Sequence, residues 1–420
     1  QDAQKIQKVK EVKLALLAGD GLDVAGNLTL PTESEDCTIV WKSSDPSVIE
    51  NDGTVHFKDT AQKVTLTAVV TNGTYSEQRE FELTVASKAD ADSAQYRMGL
   101  TIPRYISQNL QNTVNGKAVV WECSKEGLIA EDGTVTRPKK DTKVTVKAVI
   151  DGVTIAREAT VMAEGGQILS YVIQGGNLYQ NTGDLLAAAD SRRSDALFLA
   201  AKTKEETSYT ELNKGKAILY VRWSGDQKTN PDNQMGSPIL FRKADGSLAA
   251  AASGNNQKNG IYVWDSKADM TFTGERFLTL AKTGKKVQNP SILYDEMAGA
   301  YKVFWQDERG TSYVSLMADL EAGTKPLATT EAPYEKAELS GEIPKQAVKE
   351  ETSVFEASAE EYAAITKKYA AVYNTEVEEV RVTARSGDKI TLPETVKASY
   401  SDGSTKNLGV ICLLYTSPSP

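Results

Sequence analysis

The sequence predicts a mostly β protein with its modules in series: two small β-sandwiches, an incomplete β-propeller, a short helix and the start of a third sandwich. Three observations carry this. A block around Trp41 recurs around Trp121, 80 residues on. A second kind of block, three apolar runs separated by Gly-containing turns, occurs twice between Gly236 and Leu316. Most apolar runs are short, β-branched and alternating, and only two stretches carry the helical period.

In order along the chain, Ile6, Val9, Val12 and Leu16 recur at helical spacing and Gly19 follows as a stop, so residues 2–18 are expected to be helical. The first repeat comes next. Trp41-Lys42-Ser43-Ser44, Asn51-Asp52-Gly53-Thr54-Val55 and Lys63 to Val69 return as Trp121-Glu122-Cys123-Ser124, Glu131-Asp132-Gly133-Thr134-Val135 and Lys143 to Val149. An all-β unit of this size with one Trp in an early strand suggests an immunoglobulin-like sandwich. The two units are placed at 2–86 and 88–163. Trp41 and Trp121 are read as core plugs because both copies keep the position. The Asp-Gly pairs are read as turn chemistry rather than a calcium site. The stretch "LTLPTESEDCTIVWKSSDPSVIENDGTV" resembles the atrophied bacterial immunoglobulin-like modules of secreted carbohydrate-active enzymes.

Gly165-Gly166 is read as a junction, and a partial propeller is expected over 166–325. Its first blade runs from Ile168 to Tyr220. The second opens with Gly236-Ser237-Pro238 and continues through Asp245-Gly246 to Gly260–Ser266. The third opens with Gln288-Asn289-Pro290 and continues through Gly299–Trp305 to Ser312–Leu316. Serial repetition of small antiparallel sheets is how blades show in sequence. Three blades leave a ring short by one or two.

The runs "GSPILFRKADGSLAAAAS", "NGIYVWDSKADMTFTGERFLTL" and "VQNPSILYDEMAGAYKVFWQD" resemble blades of glycoside hydrolase family 43, five-bladed propellers acting on arabinans and xylans. The resemblance implies a secreted protein and an inverting mechanism, with an Asp base, a pKa-tuning Asp and a Glu acid on successive blade openings. Inversion needs two carboxyls roughly 6.5–9.5 Å apart. At the two legible openings stand Ser237 and Asn289, neither of which can act as acid or base. No catalytic residue is therefore assigned. Asp184, Asp190 and Asp195 in the first blade precede no proline, and Glu275 and Asp307 read as strand or turn residues.

Residues 326–350 lack periodicity and read as linker. Ser358-Ala359-Glu360-Glu361 is a capping box, followed by Tyr362, Ile365, Tyr369 and Val372 on one face, so 358–373 is expected to be helix and 326–375 linker plus helix. "TLPETVKASYSDGSTK" resembles a group 4 bacterial immunoglobulin-like module, truncated to 376–410. The last residues, 411–420, look like translated adapter sequence and are expected to be a non-native tail, with the chain a fragment of a longer one.

Composition narrows the chemistry. A net charge of −9 argues against nucleic acid or an anionic membrane as partner. No apolar run reaches the ~20 residues needed to span a bilayer. His56 is the only histidine, which removes Ser–His–Asp and Cys–His catalysis and poly-His metal sites, so neither metal nor cofactor is expected. Cys37, Cys123 and Cys412 fall in separate segments and suggest no disulfide framework. The expected partner is a plant-type polysaccharide or oligosaccharide, met outside the cell or at its surface by a monomeric chain. Glycan contact is assigned first to Trp223 with Asp226 and Asn230 in a polar loop, and next to Trp264 and Trp305, for which blade-to-blade packing is the competing reading. These offer an aromatic face for C–H surface and polar groups for hydroxyls.

Overall fold

The computed structural model describes residues 2–409 apart from 20, 174–195, 222–234, 255–258, 283, 335, 337–338, 371–373, 382, 384, 386, 388, 390, 392 and 401–403. The chain is mostly β. It forms two immunoglobulin-like modules, three propeller-type blades, a short helix and a third, partial sheet.

The first module is built on one four-stranded antiparallel sheet of strands Glu33–Ser34, Cys37–Ser43, Gln62–Asn72 and Tyr75–Val85, in sequence order. The second orders its strands Tyr105–Ile106, Val153–Val161, Thr142–Ile150 and Val120–Cys123. Alternation decides which face is buried: in Cys37–Ser43 every second residue is buried. The opposing layer is reduced to turns and single bridges, Ile49 to Val55 in one module and Ile129 to Val135 in the other.

The internal repeat is reproduced at the tryptophans and at the Asp-Gly turns. Trp41 and Trp121, 4% and 1% exposed, each donate the indole N–H to a backbone carbonyl at 2.8 Å, that of Pro31 and that of Gln111. Asp52 and Asp132 each accept the amide of the residue two further on at 2.9 Å, which closes a turn and uses the carboxylate without a cation.

In the first module the missing layer is supplied by the helix Asp2–Ala15, whose Val9 and Val12 join the sheet's core. The helix is shorter than the expected 2–18. Arg79 ends it by donating to the carbonyls of Lys13, Leu14 and Leu16, the orphan acceptors of a helix C-terminus.

Three four-stranded antiparallel sheets follow as blades. From inner to outer edge the second blade runs Met235–Arg242, Leu248–Gly254, Gly260–Ser266, Phe272–Thr279, and the third Gln288–Asp295, Ala300–Gln306, Ser312–Met317, Ala328–Glu331. The first blade is made differently. Its outer three strands are Thr210–Glu211, Phe198–Lys202 and Gly166–Tyr171, and its inner strand is Ser353–Ala357, which returns from beyond the third blade.

The middle blade is covered on both faces. In Leu248–Gly254 all seven residues are buried. Ala250 and Ala252 face the first blade, while Ala249 and Ala251 face the third. Four alanines in a row let neighbouring sheets approach closely, and they explain why this strand shows no polar alternation.

Two expectations are corrected here. The supposed linker 326–350 is built into the sheets: Ala328–Glu331 is the third blade's outer strand, and Glu342 and Ala347 form bridges with Ser208 and Ile173 of the first. Local periodicity misses such strands because they are short and their partners are distant. The helix occupies Ala359–Lys368 rather than 358–373. Its capping box at Ser358 and Glu361 forms as expected, but Tyr369 leaves helical geometry and its carbonyl accepts the Asn213 amide at 2.6 Å.

The Gly165-Gly166 pair is a close-approach point as well as a junction. A β-carbon on Gly166 would lie 2.4 Å from the Tyr362 ring, and one on Gly165 2.3 Å from the Ser358 carbonyl carbon. The partial third sheet, Asn374–Val377, Thr395–Tyr400 and Thr405–Gly409, is mostly exposed, as expected of half a sandwich. The last residues, 410–420, lie outside the described set.

Candidate functional site

The inner strands of the three blades converge on a common axis, and their opening residues meet at one end of it. In the second and third blades the inner strand begins with a register slip, between Gly236 and Ile239 and between Gln288 and Ser291. Inside each slip sits a non-glycine residue with positive φ, Ser237 at 45° and Asn289 at 48°, each directly before a proline. Such backbone costs of order 1–3 kcal/mol and persists only where its surroundings enforce it. The two strained residues bond to each other: Ser237 Oγ donates to Asn289 Oδ1 at 3.0 Å.

The rest of the cluster completes their valences. The Ser237 amide donates to Glu351 Oε2 at 3.1 Å, and Asn289 Nδ2 donates to Gln306 Oε1 at 3.0 Å. Ser353 Oγ donates to the Pro238 carbonyl at 3.0 Å, which joins the returning strand to the second blade's opening. Lys336 reaches in from the crossing between third and first blades, donating to the Glu350 carbonyl at 2.7 Å and to Asn289 Oδ1 at 3.4 Å. Burial pulls the Lys336 ammonium down to about 8, against the opposing pull of Glu351 and Glu350. Lys336, Glu351 and Gln306 were not legible as site residues. Lys336 and Glu351 sit in or beside the stretch without periodicity and Gln306 ends a blade strand, so only the fold places them beside the openings.

The axis itself is narrow. Beneath the cluster lies a cavity of ≈ 120 Å³ among Pro290, Ser291, Tyr334, Lys336 and Ser353, continued by one of ≈ 140 Å³ beside Arg242 and Phe355. Ligand pockets run to roughly 300–1,000 Å³, so these volumes suit a few waters rather than a sugar ring. Gln108 borders both cavities, so the segment before the second module's first repeat strand forms part of the axial wall.

The carboxylates around the axis are engaged. Glu356 pairs with Arg137 at 2.9 Å and accepts from Gln167 Nε2 at 2.6 Å. Glu361 pairs with buried Arg242 at 2.5 Å and also caps the helix. Glu296 pairs with Arg104, and Asp295 pairs with Lys302 at 2.9 Å, both members of the latter fully buried. Among the described residues, no cluster of three or more His, Cys, Asp or Glu side chains is placed to hold a metal ion.

The residues assigned to glycan contact are not brought together. Trp223, Asp226 and Asn230 lie outside the described residues, as do Asp184, Asp190 and Asp195. Trp264 and Trp305 are 2% and 1% exposed. Trp264 packs between the first and second blades and donates to Glu275 Oε2 at 3.2 Å. Trp305 packs between the second and third, donates to Ser315 Oγ at 3.0 Å and stacks on Tyr313 with centroids 4.4 Å apart. A sugar cannot stack on either ring while the blades stay packed, because both rings are buried in the clusters between them. Asp307 is a turn residue, accepting the amides of Arg309 and Thr311 at 2.9 and 3.0 Å.

Comparison with known families covers the two Ig-like modules and the partial third sheet. Residues 8–88 and 106–162 match the atrophied bacterial Ig domain, and residues 377–411 match the bacterial Ig-like domain of group 4. The chain carries bacterial Ig-like domains. No curated protein matches it. Among solved structures it is similar to an apocarotenoid oxygenase of Synechocystis at 11% identity, covering 80% of this chain and 72% of that one with a TM-score of 0.22. It is also similar to a quinonprotein alcohol dehydrogenase-like protein of Bacteroides thetaiotaomicron at 11% identity, covering 74% and 92% with a TM-score of 0.19. Scores of that size support no statement about activity.

Proposed function

We propose that this chain is a non-catalytic portion of a secreted, multimodular protein that acts on arabinose- or xylose-containing polysaccharide. The Ig-like modules and blades form its scaffold, and the hydrolytic chemistry of the parent protein is carried elsewhere. The glycan class comes from the blades' resemblance to glycoside hydrolase family 43. Export is supported by the bacterial Ig-like domains, which are common in extracellular proteins, and no described helix is long and apolar enough to cross a membrane.

One observation carries the non-catalytic reading. The two blade openings that would present acids present Ser237 and Asn289, bonded to each other, with the Lys336 ammonium beside them. A general acid must hold a proton and a base must accept one near working pH, and neither a hydroxyl nor an amide does so there.

The test is hydrolysis of arabinan, xylan and an aryl arabinofuranoside by the 420-residue chain. The expected rate equals the blank. Turnover that disappears in Glu351→Gln, or in a variant of Asp184, Asp190 or Asp195, would restore the enzyme reading.

A further inference from the structure

A larger cleft lies away from the axis, where the tip of the third blade's first hairpin overhangs the outer face of the second module's sheet. Its volume is ≈ 470 Å³, within the range of ligand sites. The face is set by strand register. Lys143 pairs with Thr160, which pairs in turn with Tyr105, and Thr145 pairs with Glu158. Val144, Ala159 and Ile106 between them point the opposite way, into the module's core. The outer face at this corner therefore presents one aromatic ring, two threonine hydroxyls, one ammonium and one carboxylate. The Arg104–Glu296 ion pair forms the overhanging wall.

Two features select the ligand. The charged side chains are two basic, Arg104 and Lys143, and two acidic, Glu158 and Glu296, so the cleft has no net sign to attract an anion or a cation. Among the described residues no hydrogen bond or ion pair engages the side chains of Lys143, Thr145, Glu158 or Thr160, so donors and acceptors stand free around the half-buried Tyr105 ring. Its hydroxyl is tied back to the Ala244 carbonyl at 3.2 Å, which fixes the ring as a wall. A rigid aromatic edge with uncommitted donors and acceptors of both kinds suits a neutral polyhydroxylated ligand.

We infer that this cleft is a binding site for a neutral oligosaccharide, with Tyr105 as the apolar contact and Lys143, Thr145, Glu158 and Thr160 bonding its hydroxyls. The inference rests on the glycan class proposed above but not on the absence of hydrolysis.

The test titrates the whole chain with neutral xylo- and arabino-oligosaccharides, using an oligogalacturonate and inorganic phosphate as charged controls. Binding is followed by calorimetry and ligand-observed NMR. A neutral oligosaccharide is expected to bind in the millimolar range, as a shallow site with few hydrogen bonds should. Glu158→Gln combined with Thr160→Val is expected to weaken it about tenfold, with the circular dichroism spectrum unchanged because both positions are on the outer face. Absence of neutral binding, binding of the charged controls alone, or an affinity unchanged in the double variant would each overturn the inference. None of these outcomes bears on the hydrolysis assay, so the two readings fail separately.

Discussion

Lys336 shows how a single side chain ties the blade openings to the pH dependence of the whole chain. Its ammonium is held down to about 8 by burial, against an ordinary value of 10.5. A folded-state value below the unfolded one means that the unfolded chain binds more protons between the two. Stability therefore rises with pH across roughly 8 to 10.5 and is lost again as pH falls through 8. Buried phenols act in the opposite sense at higher pH. Tyr209, Tyr334 and Tyr369 are each pushed up to about 12, chiefly by burial, so their contribution holds below 10 and is lost on the way to 12. The expected profile climbs from pH 8 to about 10 and then falls. Burial lowers the Lys302 ammonium in the same sense, so Lys336→Met should shrink the climb rather than remove it and leave the fall, as read from urea midpoints at pH 8, 9.5 and 11. A midpoint that rises equally in the variant would mean that another group sets the slope.

At the scale of elements, the sandwiches were legible because their information is local. Trp41 and Trp121 announce equivalent strands, and each is buried with the same indole bond to a carbonyl 10 residues upstream. Replacing either by Ala removes a core ring and orphans a carbonyl acceptor. Each should cost about 3–5 kcal/mol, measured by denaturant unfolding of the full chain. A loss below about 1 kcal/mol for either would contradict the core role. The capping box at Ser358 was equally legible, since its two partners lie three residues apart. Ser353–Ala357 was not, although Val354 and Phe355 are good strand formers, because its partner Gly166–Tyr171 lies almost half the chain away. The same limit hid the site. The absence of acids at Ser237 and Asn289 could be read directly, whereas Lys336, Glu351 and Gln306 enter it only through the convergence of three blades. Trp264 and Trp305 stayed open between stacking and blade packing for a related reason. Alternation identifies a shared strand face, but not whether water or another blade lies against it.

Over the whole molecule, the modules are less separable than a stalk carrying a propeller would be. The second Ig-like module and the third blade share structure at three levels. Their backbones pair, with the Arg104 amide donating to the Tyr294 carbonyl at 3.0 Å and the Glu296 amide to the Ile102 carbonyl at 2.8 Å. Their cores merge, since Met297 from the blade's hairpin lies in the module's apolar cluster. Their charges interlock at the buried Asp295–Lys302 pair. Asp295 Oδ1 accepts the Ile102 amide at 2.7 Å, and Lys302 donates to the Leu100 carbonyl at 2.5 Å. Both ions are fully buried, so each depends on the other and on the module's backbone to offset desolvation. Lys302→Met leaves the carboxylate without its counter-ion in the interface and should cost about 3–5 kcal/mol. If the two bodies fold as one, that loss is shared. Hydrogen exchange should accelerate together in Val153–Val161 of the module and Gln288–Asp295 of the blade, and unfolding should remain a single transition for both. The milder Met297→Ser should produce the same paired response at smaller amplitude. Acceleration confined to the blade, with the module's strands unchanged in both variants, would show that the module folds independently and only rests against its neighbour.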